Sequence, residues 1–314
     1  MTAQSVAGLD DDDARELPRA ASAPVAAAGP AWVAWAAYAV CSLVWGSTYL
    51  AIAVALGSFT TFGMVSIRFG LAAALALLVG RLRGEPLPSR RELPHLALVG
   101  LLLLLLANGL IVWSETRVAS GLVAVLCATT PAWFALMTLR SEPLGARGWT
   151  GTILGFAGVV LLAAPGTKGA LDAAGVAAVL LATVAWAYGT LHGKRHVAGG
   201  GPLTRAGVEM AAASLAALLL APATGGFLKG TPAPREVAAL LYLSLFGSVI
   251  AYTAHGYLAR AWSPARAGTY AYLNPGVAVL LGALLLGEPF TPRVGVGMAV
   301  ILAGVALVQL RRRA

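Results

Sequence analysis

Residues 94–114 read PHLALVGLLLLLLANGLIVWS, a run of 21 positions without one aspartate, glutamate, lysine or arginine. About 20 apolar residues in a helix cross the hydrocarbon layer of a bilayer, because each residue rises about 1.5 Å. Runs of similar length recur from Ala31 to Leu310. The chain is therefore predicted to be an integral membrane protein.

The composition and the spacing of these runs predict an all-α membrane protein with ten transmembrane helices. Of the 314 residues, 59% are hydrophobic and 11% are charged, whereas a soluble domain carries about 25% charged residues. The predicted spans are residues 31–54, 62–80, 94–114, 118–140, 148–164, 172–190, 204–223, 236–258, 264–286 and 293–310. Residues 1–30, with Asp10 to Asp13, are interpreted as a disordered acidic head, and residues 311–314 as a basic tail.

Lysine and arginine residues fall mostly on one side of this ten-span arrangement. With both termini inside, sixteen of the 22 basic residues are cytoplasmic, five are external, and Arg68 lies within a span. Short cytoplasmic loops carry such an excess, so we predict a bacterial-type inner-membrane protein with both termini cytoplasmic. The net charge of +9 does not indicate nucleic acid, since the basic residues are scattered over short loops.

A short motif of the first span recurs in the sixth. Residues 45–50 read WGSTYL, and residues 186–191, which begin 141 positions later, read WAYGTL. Further matches at offsets of 141 to 146 are Arg68 with Glu209, Pro131 with Pro275, and Glu142-Pro143 with Glu288-Pro289. The drift in offset is what small loop insertions produce. The alternative is chance similarity among helices rich in alanine, leucine and glycine.

Two copies of a five-span unit have a topological consequence. An odd number of spans makes the second copy enter the membrane in the opposite sense to the first. We therefore predict a 5+5 inverted-repeat bundle, with residues 31–164 as the first repeat and residues 172–310 as the second. In many secondary transporters such repeats enclose the substrate site near the midplane.

These motifs resemble those of EamA-type transporters in the drug/metabolite transporter superfamily. The resemblance rests on residues 45–49, the Arg68 span, Thr130-Pro131, Asn274-Pro275 and the Glu-Pro turns, and it covers about residues 35–310. It implies a five-plus-five fold and a central cavity lined by spans 1, 3, 4, 6, 8 and 9. It also implies export of amino acids or other small metabolites, without choosing one substrate.

One-sided polar and aromatic stripes mark candidates for the cavity lining. Tyr270 and Asn274 lie four positions apart, and Ser248, Tyr252 and His255 follow helical spacing in span eight. Polar groups facing lipid are costly, so these stripes should face the bundle interior, although ordinary interhelical packing is the alternative. The candidates are Trp45, Tyr49, Asn108, Thr130, Trp133, Trp186, Tyr188, Ser248, Tyr252, His255, Tyr270 and Asn274.

Two prolines fall at equivalent positions within long apolar spans. Pro131 and Pro275 each remove a backbone donor and free a carbonyl four residues back. Such carbonyls survive in a membrane where protein or cavity water satisfies them. We predict matched hinges or broken helices beside the site, with simple packing kinks as the alternative.

Three ionisable residues within the spans need a partner or a function. Arg68, Glu115 and Glu209 would each cost about 2.5–3.5 kcal/mol at the bilayer centre on insertion scales. Arg68 could instead anchor a helix end, and Glu115 could be a solvated rim residue paired with Arg117. Proton coupling would rest on Glu115, Glu209 and His255, although a lone histidine is often a packing residue.

The predicted function is secondary transport of a small metabolite by alternating access, and the family resemblance implies an outward direction. A channel or a non-transporting membrane protein is the first alternative. An intramembrane enzyme is the second, but His-Glu-x-x-His and Gly-x-Ser-x-Gly are absent and Asp172 is the one aspartate outside the head. No catalytic residue, cofactor or metal ligand is predicted. Cys41 and Cys127 are interpreted as small core residues.

Overall fold

The computed structural model describes residues 30–118, 120–163, 172–286 and 292–309. Within these ranges the structure is helical, apart from loops and one isolated bridge that pairs Phe59 with Leu228. The helices are α1 (Ala31–Ala55), α2 (Thr61–Leu82), α3 (Leu93–Ser114), α4 (Ser120–Cys127 and Thr130–Met137), α5 (Ala146–Ala163), α6 (Ala173–His196), α7 (Pro202–Leu220), α8 (Pro234–Ala261), α9 (Pro264–Gly268 and Tyr270–Leu286) and α10 (Pro292–Gln309). The predicted head, the tail and Glu288 lie outside the described residues.

Seven of the described helices, namely α1, α2, α3, α4, α6, α7 and α8, are long and apolar enough to cross a membrane. The prediction of an all-helical, multi-pass membrane protein is therefore confirmed. Most helix ends lie within three residues of the predicted spans. The exception is α6, which was predicted to end at residue 190 and continues to His196. Its last turn carries Lys194 and Arg195, cations that the negative end of the helix dipole favours.

Helix packing follows the same plan in both parts of the chain. Helix α2 packs along α7, and α5 packs along α10. Helix α1 packs against α8 and α9, while α6 packs against α3 and α4. Helices five places apart in the chain correspond, so α1 corresponds to α6, α8 to α3 and α9 to α4. The contacts of α1 with α8 and α9 therefore correspond to those of α6 with α3 and α4. Each of these contacts therefore has a counterpart.

Glycines permit the closest approaches between these helices. A Cβ atom added at Gly100 of α3 would overlap the backbone carbonyl oxygen of Glu209 in α7. A Cβ atom at Gly304 of α10 would overlap the backbone of Gly155 in α5. Small residues allow this backbone contact, which is a main source of helix association in lipid.

Helices α3 and α8 each contain a wide π turn, at Leu101–Ala107 and Leu243–Ile250. The two turns begin 142 positions apart, within the offsets of the sequence repeat. In each turn a polar side chain bonds the carbonyl five residues back, Asn108 Nδ2 to Leu103 O at 3.0 Å and Ser248 Oγ to Leu243 O at 2.9 Å. Such turns are frequent at functional sites, and the sequence did not indicate them.

The two proline helices break differently. In α4 the helix is interrupted just before Pro131. Proline has no backbone N–H to bond the Cys127 carbonyl, and the Thr130 hydroxyl donates to that carbonyl instead, at 2.7 Å. Helix α9 runs unbroken through Pro275, so no break lies there, and a hinge at Pro275 stays a prediction. The interruption of α9 lies at Thr269, whose hydroxyl bonds Tyr38 and Gln309 at 3.1 and 2.9 Å. Contacts to neighbouring helices, rather than the proline, hold that break.

The α2–α3 and α6–α7 loops are tied together by a carboxylate. Glu92 accepts hydrogen bonds from the backbone N–H groups of Gly199, Ser89 and Ala198 at 2.6, 2.9 and 2.9 Å, and one from the Ser89 hydroxyl. Hydrogen bonds lower the pKa of the Glu92 carboxyl to about 2, and the bond from the Gly199 N–H has the largest effect, followed by those from Ser89. The two loops are therefore held at the same end of the bundle.

Candidate central cavity

A cavity of about 700 Å³ lies where α1, α3, α4, α6, α8 and α9 meet. These are the helices that the family resemblance implies, and α2 adds Arg68 and Phe69 to the wall. Nine of the twelve predicted lining candidates lie on this cavity: Trp45, Tyr49, Asn108, Thr130, Trp186, Ser248, Tyr252, Tyr270 and Asn274. Their role in binding a substrate stays a prediction.

An aromatic cluster forms one wall of the cavity. The repeat-related indoles of Trp45 and Trp186 meet edge to face, with ring centroids 5.3 Å apart. Tyr270 packs on Trp45 at 5.1 Å, and its hydroxyl accepts a hydrogen bond from Trp186 Nε1 at 2.9 Å. Trp45 Nε1 donates to Gly247 O at 2.9 Å. Edge-to-face rings with bonded N–H groups offer a rigid apolar surface to a ligand.

Arg68 is buried at the cavity wall without a salt bridge to any described residue. Its side chain is 4% exposed, and its Nε donates to Ser248 Oγ at 2.8 Å. The guanidinium also lies 4.9 Å from the ring centroid of Phe69. A guanidinium has five donors, so this site retains donors for an anion. The interpretation of Arg68 as a helix-end anchor does not fit this position.

Glu115 follows α3 directly and is half-buried, with both carboxylate oxygens buried. Within the described part of the chain, neither oxygen has a hydrogen-bond partner. The carboxylate interacts electrostatically with Arg68 of the cavity wall. The interpretation of a solvated rim residue paired with Arg117 is wrong, because Arg117 bonds Asp172 at 2.9 Å and covers the Trp113 ring. A buried carboxylate without a partner is costly and suits a cationic ligand or a proton.

Asn274 contributes a polar group between α1 and α9. With its amide nitrogen turned toward two backbone carbonyls, it donates to Ser42 O at 3.1 Å and to Tyr270 O at 3.0 Å. This arrangement leaves its side-chain oxygen available as an acceptor. Tyr49, which lines the same cavity, also interacts with Asn274.

A second chamber of about 540 Å³ lies next to the first and contains Glu209 and His255. Tyr252 belongs to the walls of both chambers. The placement of His255 in the central cavity is therefore corrected. Its Nε2 lies 3.3 Å from the Thr190 hydroxyl, and its ring packs on Trp186 with ring centroids 5.1 Å apart. Glu209 and its repeat counterpart Arg68, of opposite charge, lie on different chambers.

Two further predicted lining residues lie elsewhere. Tyr188 is 53% exposed on the outer surface of α6, because a residue two positions from Trp186 points about 200° away around the helix. Trp133 packs with Phe134, Ala187 and Leu191 in a separate cluster. Repeat similarity placed Tyr188 among the candidates, but the helical period separates it from Trp186.

The structure adds lining residues that the sequence analysis did not name. Thr48 and Thr183 lie on the cavity, three positions from Trp45 and Trp186 respectively. Helical spacing from the two tryptophans could have indicated both. Cys127, interpreted as a core residue, also lines the cavity although its side chain is only 7% exposed. No sequence signal distinguishes it from Cys41.

Histidines outside the cavity could hold a metal. His95, His192 and His196 place their candidate ligand atoms within 4.8 Å of one another. The sequence analysis predicted no metal ligand, because His95 is separated from the other two by about 100 positions and only the packing of α3 on α6 joins them.

The fold and the cavity define a multi-pass helical membrane protein with an internal chamber, and sequence comparison adds the family. The sequence model of the EamA-like transporter family matches residues 31–164 and again residues 173–310. The chain belongs to this family, which confirms the resemblance. Its members and relatives are named as transporters rather than enzymes.

Individual relatives agree with this assignment. The chain is 37% identical over 276 residues to the protein named uncharacterized inner membrane transporter YedA of Escherichia coli K12, covering 85% of this chain and 88% of that protein. It is 30% identical to a probable terminal-alkyne amino-acid exporter of Streptantibioticus cattleyicolor, covering 86% and 91%. A solved crystal structure, 19% identical, superimposes with a TM-score of 0.72 over 88% of this chain and 96% of its own, which concerns the fold alone.

Proposed function

We propose that this protein is a secondary transporter that exports small amphipathic metabolites, amino acids or close relatives of them, by alternating access. The observation that carries the proposal is the central cavity, where Arg68 and the Trp45–Trp186 wall meet. The cavity lies where helices of the two family-matched segments pack together. Glu115 interacts electrostatically with Arg68.

The proposed architecture is ten membrane-crossing helices in two inverted halves of five. The double match to the family supports it, as do the corresponding packing contacts and the π turns at equivalent positions of α3 and α8. The halves would enclose the substrate site and rock about it. The basic residues favour cytoplasmic termini. Reporter fusions after Arg81 and after Arg195 should both report the cytoplasm, and a periplasmic signal from either would contradict the topology.

The charges of the cavity favour a zwitterion. Arg68 offers unused guanidinium donors, which suit a carboxylate, and Glu115 offers carboxylate oxygens without a partner, which suit an amine. The aromatic wall supplies contact for an apolar side chain. The printed name of the Streptantibioticus relative, an amino-acid exporter, favours the same class and an outward direction.

Proton coupling is part of the proposal. The Glu115 carboxylate is buried without a partner among the described residues, so it must be neutralised by a proton or by a cation. The substrate amine and a proton would then compete for Glu115. Export of a substrate molecule would therefore be coupled to movement of a proton in the opposite direction.

Substrate counterflow in proteoliposomes tests the function. Vesicles loaded with a mixture of unlabelled amino acids should accumulate labelled ones transiently when the protein is present. Arg68→Gln should abolish accumulation, because the substrate carboxylate loses its partner, while Arg147→Gln in the α4–α5 region should leave it unchanged. Flux without counterflow at conductance-like rates would indicate a channel and contradict the proposal, as would normal counterflow in Arg68→Gln.

A further inference from the structure

We propose that His95, His192 and His196 form a binding site for a borderline divalent metal ion, of which Zn²⁺ is the representative. They are three of the four histidines in the chain. His95 lies near the start of α3, and the other two lie one turn apart at the end of α6. Their candidate ligand atoms all lie within 4.8 Å of one another. The site is separate from both chambers described above.

The distances are close to those of a metal centre. His95 Nδ1 lies 3.1 Å from His192 Nε2, and the rings of His192 and His196 stack with centroids 4.3 Å apart. Zn–N bonds of 2.0–2.1 Å in a tetrahedral site place ligand nitrogens about 3.4 Å apart. Small side-chain rotations would therefore convert the histidine contact into coordination of a shared ion.

The hydrogen bonding of His196 prepares it as a ligand. Its Nδ1 lies 3.0 Å from the backbone carbonyl of His192, and a carbonyl only accepts, so Nδ1 carries the proton. In a neutral ring Nε2 then holds a free lone pair. Metal-binding histidines characteristically donate their other N–H to a carbonyl or carboxylate, which orients the ring.

The surroundings leave room for a fourth ligand. A recess of about 570 Å³ reaches His192 and His196, so water can complete the coordination. Three imidazoles without a carboxylate suit Zn²⁺, Ni²⁺ or Cu²⁺ rather than Mg²⁺ or Ca²⁺.

The site would join two helices from different halves of the protein. His95 belongs to α3, in the first family-matched segment, and His192 and His196 belong to α6, in the second. If the halves move against each other, which rests on the proposed function, a bound ion would clamp α3 to α6. Zn²⁺ is then expected to inhibit transport.

Cobalt absorption tests the site without reference to transport. The full chain, purified without a polyhistidine tag, is titrated with Co²⁺, and Zn²⁺ then displaces it. One equivalent should bind, with the visible bands of a tetrahedral or five-coordinate ion. His95→Ala, His192→Ala and His196→Ala should each weaken binding at least about tenfold. His255→Gln removes the fourth histidine and should leave metal binding unchanged.

Two outcomes would overturn the site: no saturable binding by the wild-type protein, or binding by His196→Ala as tight as that of the wild type. His196 is exposed at a helix end, so its variant should keep the wild-type melting temperature in detergent, which shows that it is folded.

The clamp is tested by counterflow with and without Zn²⁺. Inhibition of counterflow by Zn²⁺ that persists in His196→Ala would contradict the clamp. Absence of counterflow in the wild-type protein would contradict the proposed function. In that case the cobalt titration would still decide whether the metal site exists.

Discussion

Trp186 and Tyr188 are two aromatic residues on one helix, and their different surroundings separate a proposed binding role from an exposed position on the surface. Trp186 contacts Trp45 and Tyr270 at the cavity, whereas Tyr188 is 53% exposed on the outer surface. We expect Trp186→Ala to lower substrate affinity by at least about tenfold, since loss of a buried aromatic contact costs several kcal/mol.

Tyr188→Ala is the matched control and should keep the wild-type affinity. Both constants are measured by the concentration dependence of counterflow in proteoliposomes. Equal affinities for Trp186→Ala and the wild type would remove the aromatic wall from the binding site. A comparable loss of substrate affinity in Tyr188→Ala would show that the face of α6 that carries Tyr188 contributes to binding as well, which would contradict the proposed site.

Glu115 provides a second prediction at this scale. Its carboxylate lacks a hydrogen-bond partner among the described residues, and the proposal makes it the group shared by proton and substrate. Glu115→Gln keeps the shape and removes the charge. An imposed pH gradient should drive uptake in the wild type and have no effect on this variant. Gradient-driven uptake by Glu115→Gln would exclude Glu115 as the coupling residue.

Most of the predicted lining candidates lie on the cavity, because helical spacing groups side chains that share a face. Tyr270 with Asn274 and Ser248 with Tyr252 were found in this way and lie on the cavity. Tyr188 failed, because similarity to the first repeat does not specify which way a side chain points. The three-histidine cluster could not be predicted, since it depends on the packing of α3 against α6.

At the scale of helices, the contact between α3 and α7 depends on the absence of a side chain. A Cβ atom at Gly100 would overlap the Glu209 carbonyl oxygen. Gly100→Ala should therefore destabilise the protein by about 1–3 kcal/mol, the usual cost of overpacking. The lowered melting temperature in detergent is the measurement.

Gly121→Ala is the control for this substitution. Gly121 also lies in a helix, but no described atom would lie within 4 Å of an added Cβ atom. Alanine there should be neutral or slightly stabilising, because glycine weakens a helix by about 0.5–1 kcal/mol. A Gly100→Ala protein as stable as Gly121→Ala would contradict the close packing of α3 on α7.

The loop contact made by Glu92 predicts a pH dependence. Its pKa is lowered to about 2 in the folded protein, by hydrogen bonds to Gly199 and Ser89, against about 4.3 in an unfolded chain. A group with a depressed folded pKa stabilises the protein above the unfolded value. That stability is lost as the pH falls from about 4.3 toward about 2.

Glu92→Gln should accordingly lower the melting temperature at pH 7 and flatten the acid limb of the stability curve. The effect should be about 1 kcal/mol or less, because the carboxylate is exposed to solvent. Arg90→Gln, in the same loop, serves as the control. An unchanged acid limb in Glu92→Gln would show that this carboxylate does not hold the loops together.

Helix positions could be predicted because apolar length and flanking breaks decide where a chain crosses lipid. The internal irregularities could not. The run Leu101–Leu106 has no feature that distinguishes a π turn from an α-helix. Pro275 indicated a break, but the interruption of α9 lies at Thr269, which donates a hydrogen bond to Tyr38 of α1 and accepts one from Gln309 of α10.

At the scale of the whole molecule, the repeat explains why chemically different residues occupy related places. Trp45 and Trp186 meet at the cavity, and Asn108 and Ser248 each bond a carbonyl of a π turn. Arg68 lies on the central cavity, whereas Glu209 lies on the second chamber together with Arg205 and Arg260. The two chambers share Tyr252 as a wall.

Cys127 allows the central claim to be tested with a native side chain, since it lines the cavity and Cys41 can be replaced by serine. The measurement is the rate at which a membrane-impermeant thiol reagent modifies Cys127 in Cys41→Ser proteoliposomes of known orientation. The account predicts modification from either side, slowed about tenfold by substrate at about ten times its Kd. Modification from one side only, or at a rate that substrate does not change, would contradict a substrate cavity that opens alternately to both sides.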